Sequence, residues 1–415
     1  MRTKRAPGTG GSGPLIWFAV ATFSMGIDGY VLAGLLPQIA ADLRVDAAAA
    51  GQLMSVFAAT GAIAGPLLGA LTGRWERKRT IALALAVFVL GNLVVALAPL
   101  YVWALIGRIV SALGGALLNA VIASYVVART PEHRRGRALS LVMGGWLFAT
   151  ALGVPIGLVI GQQDWRIPLF LVVGVGILAL CGILLQVPRL RLPALPLREA
   201  LRPLTQPTIL FLLLPPLGLM AASYFCFTYA TLIIGPRIGE GYPMIAVLFG
   251  YGIVSLAGNI VAGRRVDRRG PLGWITIICA TLVVSALAAG AGLLLPGLAG
   301  AAVAVAWFLV AAFFNGGSGV AFQSRLASMV PESVVALVLA LNNSAMSLGS
   351  ALGSALGGIA LAAGVVPDHL VPLSAIILAI TLALHLVAVR WIKPVRRAHL
   401  DTPIVEPPLG ALDPA

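Results

Sequence analysis

The stretch Ala151-Leu-Gly-Val-Pro-Ile-Gly157 recurs 200 residues later as Ala351-Leu-Gly-Ser-Ala-Leu-Gly357. Two further pairs of segments repeat at nearly this spacing: Pro131-Glu132 with Pro331-Glu332, and Gly69-Ala-Leu-Thr-Gly-Arg74 with Gly263-Arg-Arg-Val-Asp-Arg268. One short match means little in a chain with 48 glycines. Three matches at offsets of 194 to 200 residues indicate two homologous halves.

Each half is strongly apolar. The 415 residues are 60% apolar and 10% charged, whereas a soluble domain has about 45–50% and about 25%. A helix needs about 20 apolar residues to cross a bilayer, and twelve stretches are long enough: 14–36, 49–72, 80–98, 101–128, 137–161, 167–187, 208–234, 243–263, 272–295, 299–329, 334–363 and 370–392. We call them spans 1 to 12.

The spans predict an all-α membrane protein with two pseudo-symmetric bundles of six helices. Its parts are an N-terminal tail, a first bundle, a linker, a second bundle and a C-terminal tail: 1–13, 14–187, 188–207, 208–392 and 393–415. The linker is basic and rich in proline, and no connection is long enough to hold a soluble domain.

The basic residues give the orientation. Of the 28 lysines and arginines, 24 lie on the tails, the linker and alternate connections of one side, and we count Arg325, at the end of span 10, among them. The other side has only Arg44, Arg166 and Arg237, and Arg108 lies within span 4. Because basic loops stay cytoplasmic, both termini are expected there. The net charge of +14 therefore reflects membrane topology, and nucleic acid is not an expected partner.

Two charged residues lie deep in the spans, Asp28 in span 1 and Arg108 in span 4. Counted from the same side of the membrane, they lie about 12 Å and about 10 Å deep at 1.5 Å per residue, so they can meet. Burial favours a neutral carboxylic acid and a nearby cation favours the carboxylate, which is the balance that a proton carrier needs. The alternative is an ion pair that only fixes packing. We favour the proton-carrying role, because intramembrane charges are costly and commonly functional.

Other polar and aromatic residues of the spans are candidates for lining a substrate cavity, since a few polar groups in an apolar pocket orient a ligand. They are Asn119, Tyr224, Tyr229, Asn315, Asn342 and Asn343. Hydrogen bonding between helices explains each of them equally well. Glycines at every fourth position of spans 5 and 11 predict close helix contacts, rather than a ligand site.

The sequence contains little that indicates an enzyme. No Gly-Lys pair occurs, which excludes a Walker loop on this chain. The four histidines and three cysteines do not cluster along the sequence, so no metal site is expected. Gly316-Gly-Ser318-Gly319 with His385 resembles the serine and histidine of rhomboid proteases, but His385 lies in a leucine-rich helix and the number of spans is about double theirs.

The order of these features resembles the major facilitator superfamily, and within it the twelve-span drug–proton antiporters. Asp28 followed by Leu35-Leu-Pro37 is similar to that group's first span. Arg108 before Gly114-Gly115 resembles the arginine that the family uses in proton transfer. Span 5, with Gly153-Val-Pro-Ile-Gly157, is similar to a degenerate antiporter motif.

The loop after span 2 resembles the superfamily's cytoplasmic loop motif. Gly73 stands where the family has Asp and Glu76 where it has Gly, whereas the copy after span 8 keeps both, as Asp267 and Gly270. The conformational latch is therefore either weakened or carried by the second half. The resemblance implies these residues of the switch loops: Gly69, Arg74, Arg77, Gly263, Asp267 and Arg268.

The best match is to bacterial sugar, nucleoside and chloramphenicol exporters. The resemblance implies proton-driven export of a small amphipathic molecule by alternating access, as in multidrug efflux and antibiotic resistance. The alternative is an importer or facilitator of a sugar or nutrient; an intramembrane protease and a non-transporting sensor are remote. We expect a monomer in the bacterial inner membrane, with the proton gradient as driving force and no cofactor.

Overall fold

The computed structural model describes residues 13–131, 134–191, 206–239, 241–330 and 332–392. Twelve helices of these residues are long and apolar enough to cross a membrane, as predicted, and no strand occurs among them. The two predicted tails, except Gly13, and most of the linker lie outside the described residues.

The helix boundaries lie close to the predicted spans. Spans 1 to 6 are Gly13–Gly34, Ala47–Leu71, Arg77–Ala96, Tyr101–Arg129, Arg135–Ile160 and Ile167–Gln186. Spans 7 to 12 are Pro207–Ile238, Tyr242–Arg269, Pro271–Gly292, Gly297–Ser328, Glu332–Ala362 and Leu370–Trp391. Span 1 continues, after a break at Leu35, as the short helix Leu36–Asp42. Span 7 breaks at the matching place, between Phe227 and Ala230.

The packing of the spans repeats from one half to the other. Span 1 packs on spans 5 and 6, and span 7 packs on spans 11 and 12. Spans 3 and 4 pair as spans 9 and 10 do. The halves meet through two corresponding pairs, span 2 with span 11 and span 8 with span 5. The internal repeat therefore produces two bundles related by approximate two-fold symmetry, in agreement with the sequence repeat.

The glycine stripes are close helix contacts, as predicted. Side chains at Gly153 and Gly157 would run into Ile27 and Val31 of span 1. At Gly349, Gly353 and Gly357 a Cβ would run into carbonyl oxygens of span 7. Small residues let the backbones approach in this way, so both halves hold their first helix by the same device.

We call the end of the molecule that carries the loop between spans 2 and 3 the basic end. At the opposite end, each half has an ion pair. In the first half, Arg166 binds Asp42 at 2.7 Å and donates to the Ala98 carbonyl at 3.0 Å. In the second half, Arg237 binds Asp368 through both nitrogens and donates to the Leu293 carbonyl at 3.1 Å. We call these the two end clasps.

The end clasps join equivalent helices with the charges exchanged. Asp42 follows span 1 whereas Arg237 ends span 7, and Arg166 precedes span 6 whereas Asp368 precedes span 12. The accepting carbonyls follow span 3 and span 9. The repeat has thus kept the contact while reversing which side supplies the acid.

Span 5 departs from the regular helix that the sequence predicts. Residues Ala149–Gly153 form a π-helical turn between Arg135–Phe148 and Val154–Ile160. Such turns occur often at functional sites. Here the turn lies against span 8, where the carbonyl of Thr150 leaves no space for a side chain at Gly252.

Candidate functional site

The structure brings Asp28 and Arg108 together. The Arg108 Nη1 donates to Asp28 Oδ1 at 2.6 Å, and the two side chains are 2% and 0% exposed. The depth argument from helix rise is thus confirmed for the position of the two charges. A short, charge-assisted bond of this kind is strong when it is removed from water.

Span 2 completes the surroundings of the pair. Arg108 Nε donates to the Leu53 carbonyl at 3.2 Å, and the guanidinium lies 4.0 Å from the centre of the Phe57 ring. Among the described residues, Asp28 Oδ2 has no hydrogen-bond partner. The arginine therefore has contacts beyond the carboxylate, while one carboxylate oxygen is open to a proton.

The position of Asp28 is fixed by the packing of span 1. Thr22 donates to the Val142 carbonyl of span 5 at 2.6 Å, and Ser24 donates to the Val172 carbonyl of span 6 at 2.8 Å. These two bonds lie about one turn before Asp28, on a helix that the glycine stripe of span 5 holds closely. Span 1 is consequently anchored on both sides of the acid.

Two small adjoining cavities lie near this pair, each with a volume of ≈ 30 Å³. The first lies between the halves and is lined by Tyr30 and Thr150 from one half and by Ser255 from the other. The second lies inside the second half and is lined by Ser223, Asn315, Trp307 and others. Phe227 and Tyr251 line both.

The end of the bundle opposite the basic end is closed by apolar contacts between the halves. Leu248 of span 8 and Leu158 of span 5 leave no room for a side chain at Gly34, and Tyr229 does the same at Gly51. Every salt bridge between described residues lies within one half. The two halves are therefore held together here by shape rather than by charge.

The predicted cavity residues divide into four groups. Asn315 lines the second cavity, where its Oδ1 accepts from Ser223 at 2.8 Å. Tyr224 packs on Phe227, at the cavity wall, with ring centres 5.6 Å apart. Asn119 and Asn343 are exposed rather than enclosed in either cavity.

Tyr229 and Asn342 do not line either cavity. Tyr229 is buried at the closed end, where its hydroxyl donates to the Ser354 carbonyl at 2.9 Å. Asn342 is buried and donates to Met346 Sδ at 3.4 Å. The structure therefore gives these two residues packing contacts instead of cavity positions.

The predicted switch loops lie at the basic end. Arg74, Asp267 and Arg268 are exposed, and none of them forms an ion pair with another described residue. A Cβ at Gly69 would meet Ala120 of span 4 at an ordinary 3.6 Å, and the space around Gly263 is open.

Among the predicted switch residues, Arg77 contacts the start of the linker. Its side chain is buried and its backbone N–H donates to the carbonyl of Leu190, at the start of the linker, at 2.7 Å. Tyr125 of span 4 donates to the neighbouring Pro188 carbonyl at 2.9 Å. The beginning of the linker is thus docked on the first half.

Sequence reasoning missed the burial of another arginine. Arg325, assigned to the basic side after span 10, lies within that helix and is 3% exposed. Its Nη1 donates to His385 Nδ1 at 2.7 Å. The Nε2 of His385 lies 3.0 Å from the Thr276 hydroxyl, which donates to the Leu272 carbonyl at 3.1 Å. Arg325 is therefore a further buried basic residue of the spans, near the end of its helix, whereas Arg108 lies deep within span 4.

These contacts also show whether Ser318 and His385 form the serine–histidine pair of a protease. Ser318 donates to the Asn315 carbonyl at 2.7 Å, while His385 is engaged with Arg325 and Thr276. No serine–histidine pair forms, and the rhomboid-like interpretation is wrong. No distinct sequence signal marks the Arg325–His385 contact, because both residues lie near the basic ends of their spans, where polar side chains are ordinary.

Two six-helix bundles around a cavity, with one buried acid beside it, define a secondary membrane transporter. The family model described as Major Facilitator Superfamily matches residues 18–291. The chain belongs to this superfamily, as the sequence motifs predicted, and it is not an enzyme.

Relatives of known sequence agree. The chain is 36% identical over 266 residues to a chloramphenicol resistance protein of Streptomyces lividans, covering 62% of this chain and 67% of that protein. It is 28% identical over 390 residues to the inner membrane transport protein YdhP of Escherichia coli O157:H7, covering 91% and 96%. It is also 29% identical over 352 residues to the uncharacterized MFS-type transporter YtbD of Bacillus subtilis, covering 83% and 87%.

Solved structures share the fold. A bacterial homologue of the human lysosomal transporter Spinster, in an inward-facing and occupied conformation, matches with a TM-score of 0.73 at 16% identity, covering 92% of this chain and 98% of that one. The nucleoside transporter NupG matches with a TM-score of 0.70 at 11% identity, covering 90% and 99%.

Proposed function

We propose that this transporter exports a small amphipathic molecule in exchange for protons, with Asp28 as the proton carrier. The observation that carries the proposal is the Asp28–Arg108 pair. Asp28 is the one fully buried acid among the described residues, its Oδ2 has no partner there, and its partner arginine has other contacts. Arg108 serves as a fixed counter-charge, since an arginine does not release its proton.

Protonation of Asp28 removes the negative charge that holds Arg108. The guanidinium then keeps only the Leu53 carbonyl and the Phe57 ring as described partners, and span 1 is released from span 4. Tyr30, two residues further along span 1, lines the first cavity, and its ring centre lies 5.8 Å from that of Phe227 in span 7. A proton on Asp28 is thereby coupled to the wall of the substrate cavity through one helix.

Two observations support export as the direction of transport and the inner membrane as the location of the protein. The relative from Streptomyces lividans bears the name chloramphenicol resistance protein, and removal of a toxic compound from the cell confers resistance. The excess of basic residues on one side supports cytoplasmic termini, with the basic end facing inward in the inner membrane of a bacterium. The protein acts as a monomer, and the proton gradient supplies the energy.

The test uses inverted membrane vesicles whose interior is acidified by respiration, with radiolabelled chloramphenicol as the probe. An exporter accumulates label in these vesicles, and an uncoupler abolishes the accumulation. Asp28→Asn is expected to lose it, whereas Asp164→Asn, a matched change at an exposed loop acid, is expected to keep it.

Three results would oppose the proposal. Proton-driven accumulation in right-side-out vesicles alone would identify an importer, the second candidate. Uncoupler-sensitive accumulation by Asp28→Asn at the wild-type level would remove Asp28 from the proton pathway. Absence of chloramphenicol flux in either vesicle type would move the assignment to another substrate or to a non-transporting role.

A further inference from the structure

Two oxygen atoms in the core of the first half, Asp28 Oδ2 and Asn92 Oδ1, have no hydrogen-bond partner among the described residues. Both side chains are fully buried. The amide nitrogen of Asn92 donates to the Phe88 carbonyl of its own helix at 3.1 Å, so that its oxygen is left as an acceptor. Because a buried polar atom without a partner is costly, the unpaired amide oxygen of span 3 calls for an explanation.

Contacts between spans 3 and 4 place Asn92 at the depth of Arg108. A Cβ at Gly91, the residue before Asn92, would run into the backbone of Ser111. Ser111 lies one turn after Arg108, and its hydroxyl donates to the Arg108 carbonyl at 3.1 Å. A Cβ at Gly107 would in turn run into the Gly91 carbonyl. The segment of span 3 that carries Asn92 therefore lies beside the segment of span 4 that carries the arginine.

Span 6 relates the depth of Asn92 to that of Asp28. A Cβ at Gly176 of span 6 would run into Val89 of span 3 and would lie 3.6 Å from the Ser24 hydroxyl of span 1. Spans 1 and 3 run in the same direction. Asp28 follows Ser24 by four residues, a rise of about 6 Å. Asn92 follows Val89 by three residues, a rise of about 4.5 Å, so the two oxygens without partners belong to residues at nearly one depth.

A second contact gives the direction of the two side chains. At Gly115 of span 4, a Cβ would lie 3.5 Å from both Met25 of span 1 and Phe88 of span 3. Asp28 is three residues after Met25, on the same face of span 1. Asn92 is four residues after Phe88, on the same face of span 3. Because these faces converge at Gly115, Asp28 and Asn92 are turned toward each other, one turn nearer the closed end.

We infer that Asn92 is the hydrogen-bond acceptor for the protonated form of Asp28, whose Oδ2–H donates to Asn92 Oδ1 directly or across one water molecule. The inference rests on the proposed function, because it names the residue that receives the proton-carrying group. The ionised carboxylate has no hydrogen to donate and is held by Arg108 at 2.6 Å. Arg108 is the charged group that acts on Asp28 among the described residues. The arginine thus stabilises the ionised form of the acid, and Asn92 stabilises its protonated form.

Infrared difference spectroscopy of the purified full chain in lipid vesicles tests this assignment. The carbonyl stretching band of protonated Asp28 is identified as the band that Asp28→Asn lacks. We expect this band at the frequency of a hydrogen-bonded carboxylic acid in the wild type. In Asn92→Leu, which keeps a similar side-chain volume but removes the acceptor, the band should move to higher frequency. At a fixed pH, the ratio of protonated to ionised Asp28 should also fall about five- to tenfold, as expected for the loss of one buried hydrogen bond.

Asn259→Leu is the matched control. Asn259 of span 8 also follows a tightly packed glycine, Gly258. Its amide nitrogen donates to the Gly316 carbonyl at 3.1 Å, the same length as the bond that Asn92 donates. It lies in the second half, away from Asp28, so its substitution should leave the frequency and the intensity of the Asp28 band unchanged. The amide bands of the same spectra show whether each variant keeps its helices.

The outcomes separate this inference from the proposed function. A band at the frequency of a free carboxylic acid in the wild type, or a band that Asn92→Leu leaves in place, would overturn the inference while Asp28 still takes up a proton. Absence of an Asp28 band down to the lowest pH at which the helices persist would overturn both. A band that shifts in Asn92→Leu and not in Asn259→Leu would uphold the inference, whether or not chloramphenicol is transported.

Discussion

Replacing Asp28 with asparagine leaves the Arg108 guanidinium buried without its counter-charge. Both side chains are almost fully buried and their charged atoms lie 2.6 Å apart. Removing one partner of a buried ion pair costs about 3–5 kcal/mol, because the remaining charge is left in an apolar setting. The Leu53 carbonyl and the Phe57 ring remain, so we expect a loss of about 3 kcal/mol in the free energy of unfolding.

The second substitution removes the stranded charge. Replacement of a whole buried pair by neutral groups is often neutral or stabilising, so Asp28→Asn combined with Arg108→Gln should recover most of the loss. The two positions should then show a coupling free energy of about 2–3 kcal/mol, within the range of directly interacting residues. The measurement is unfolding in mixed micelles, followed by circular dichroism, for the wild type, both single variants and the double variant.

The double variant separates stability from function. If Asp28 carries the proton, the double variant, which is uncharged at both positions, should be stable and should still fail to accumulate label in acidified inverted vesicles. Recovery of both stability and proton-driven accumulation would refute the assignment and leave the pair a packing element. Undiminished stability of Asp28→Asn would instead refute the geometry from which the magnitude was derived.

Three further perturbations test the packing. Gly353→Ala should lower the free energy of unfolding by about 1–3 kcal/mol, because the added methyl group meets the backbone of span 7. The control Gly319→Ala, which faces open space, should leave the same free energy nearly unchanged. Exchange of the charges of the second end clasp, Arg237→Asp with Asp368→Arg, should restore at least half of the roughly 1 kcal/mol that either single reversal costs, and failure of this rescue in a double-mutant cycle would contradict the clasp. His385→Leu removes the acceptor from a buried arginine and should cost about 1–3 kcal/mol; a thermal-stability profile identical to that of wild type would contradict the contact.

The positions of Asp28 and Arg108 could be predicted because helix rise alone fixes depth. Both residues lie within long regular helices of predicted direction, Gly13–Gly34 and Tyr101–Arg129, and counting residues from the same membrane surface was sufficient. The contact between Arg325 and His385 could not be found in this way. Both lie near the basic ends of their spans, where polar side chains are ordinary and depth carries no information.

The cavity lining was harder to predict, because it depends on helix rotation and on local breaks. Asn342 and Asn343 are neighbours on one helix and point about 100° apart, so a single cavity on one face would not take both. Tyr224 and Tyr229 belong to one aromatic cluster in the sequence, but the helix break between residues 227 and 230 separates them. Tyr251, which lines both cavities, gave no signal within its apolar span.

Span 1 joins the three parts of the proposed mechanism. Asp28 lies on it, Tyr30 of the same helix lines the cavity, and Gly34 packs against Leu158 and Leu248 at the closed end. Six residues of helix, about 9 Å at 1.5 Å per residue, separate the acid from the closing contact. A change at Asp28 therefore needs no relay of side chains to reach either the ligand or the closed end.

The end clasps and the interface between the halves favour motion of rigid bundles. Each clasp joins the first, third and sixth helix of its own half through an arginine, an acid and a carbonyl. The contacts between the halves at the closed end come from aliphatic and aromatic side chains and from the amide of Gln52, and no salt bridge of the described residues crosses there. Opening that end thus exposes surface and breaks no ion pair, whereas bending one bundle would break a clasp. We therefore expect the low-energy motion to be rotation of one half against the other, and the proposed release of span 1 from Arg108 involves the helix that lies on that boundary.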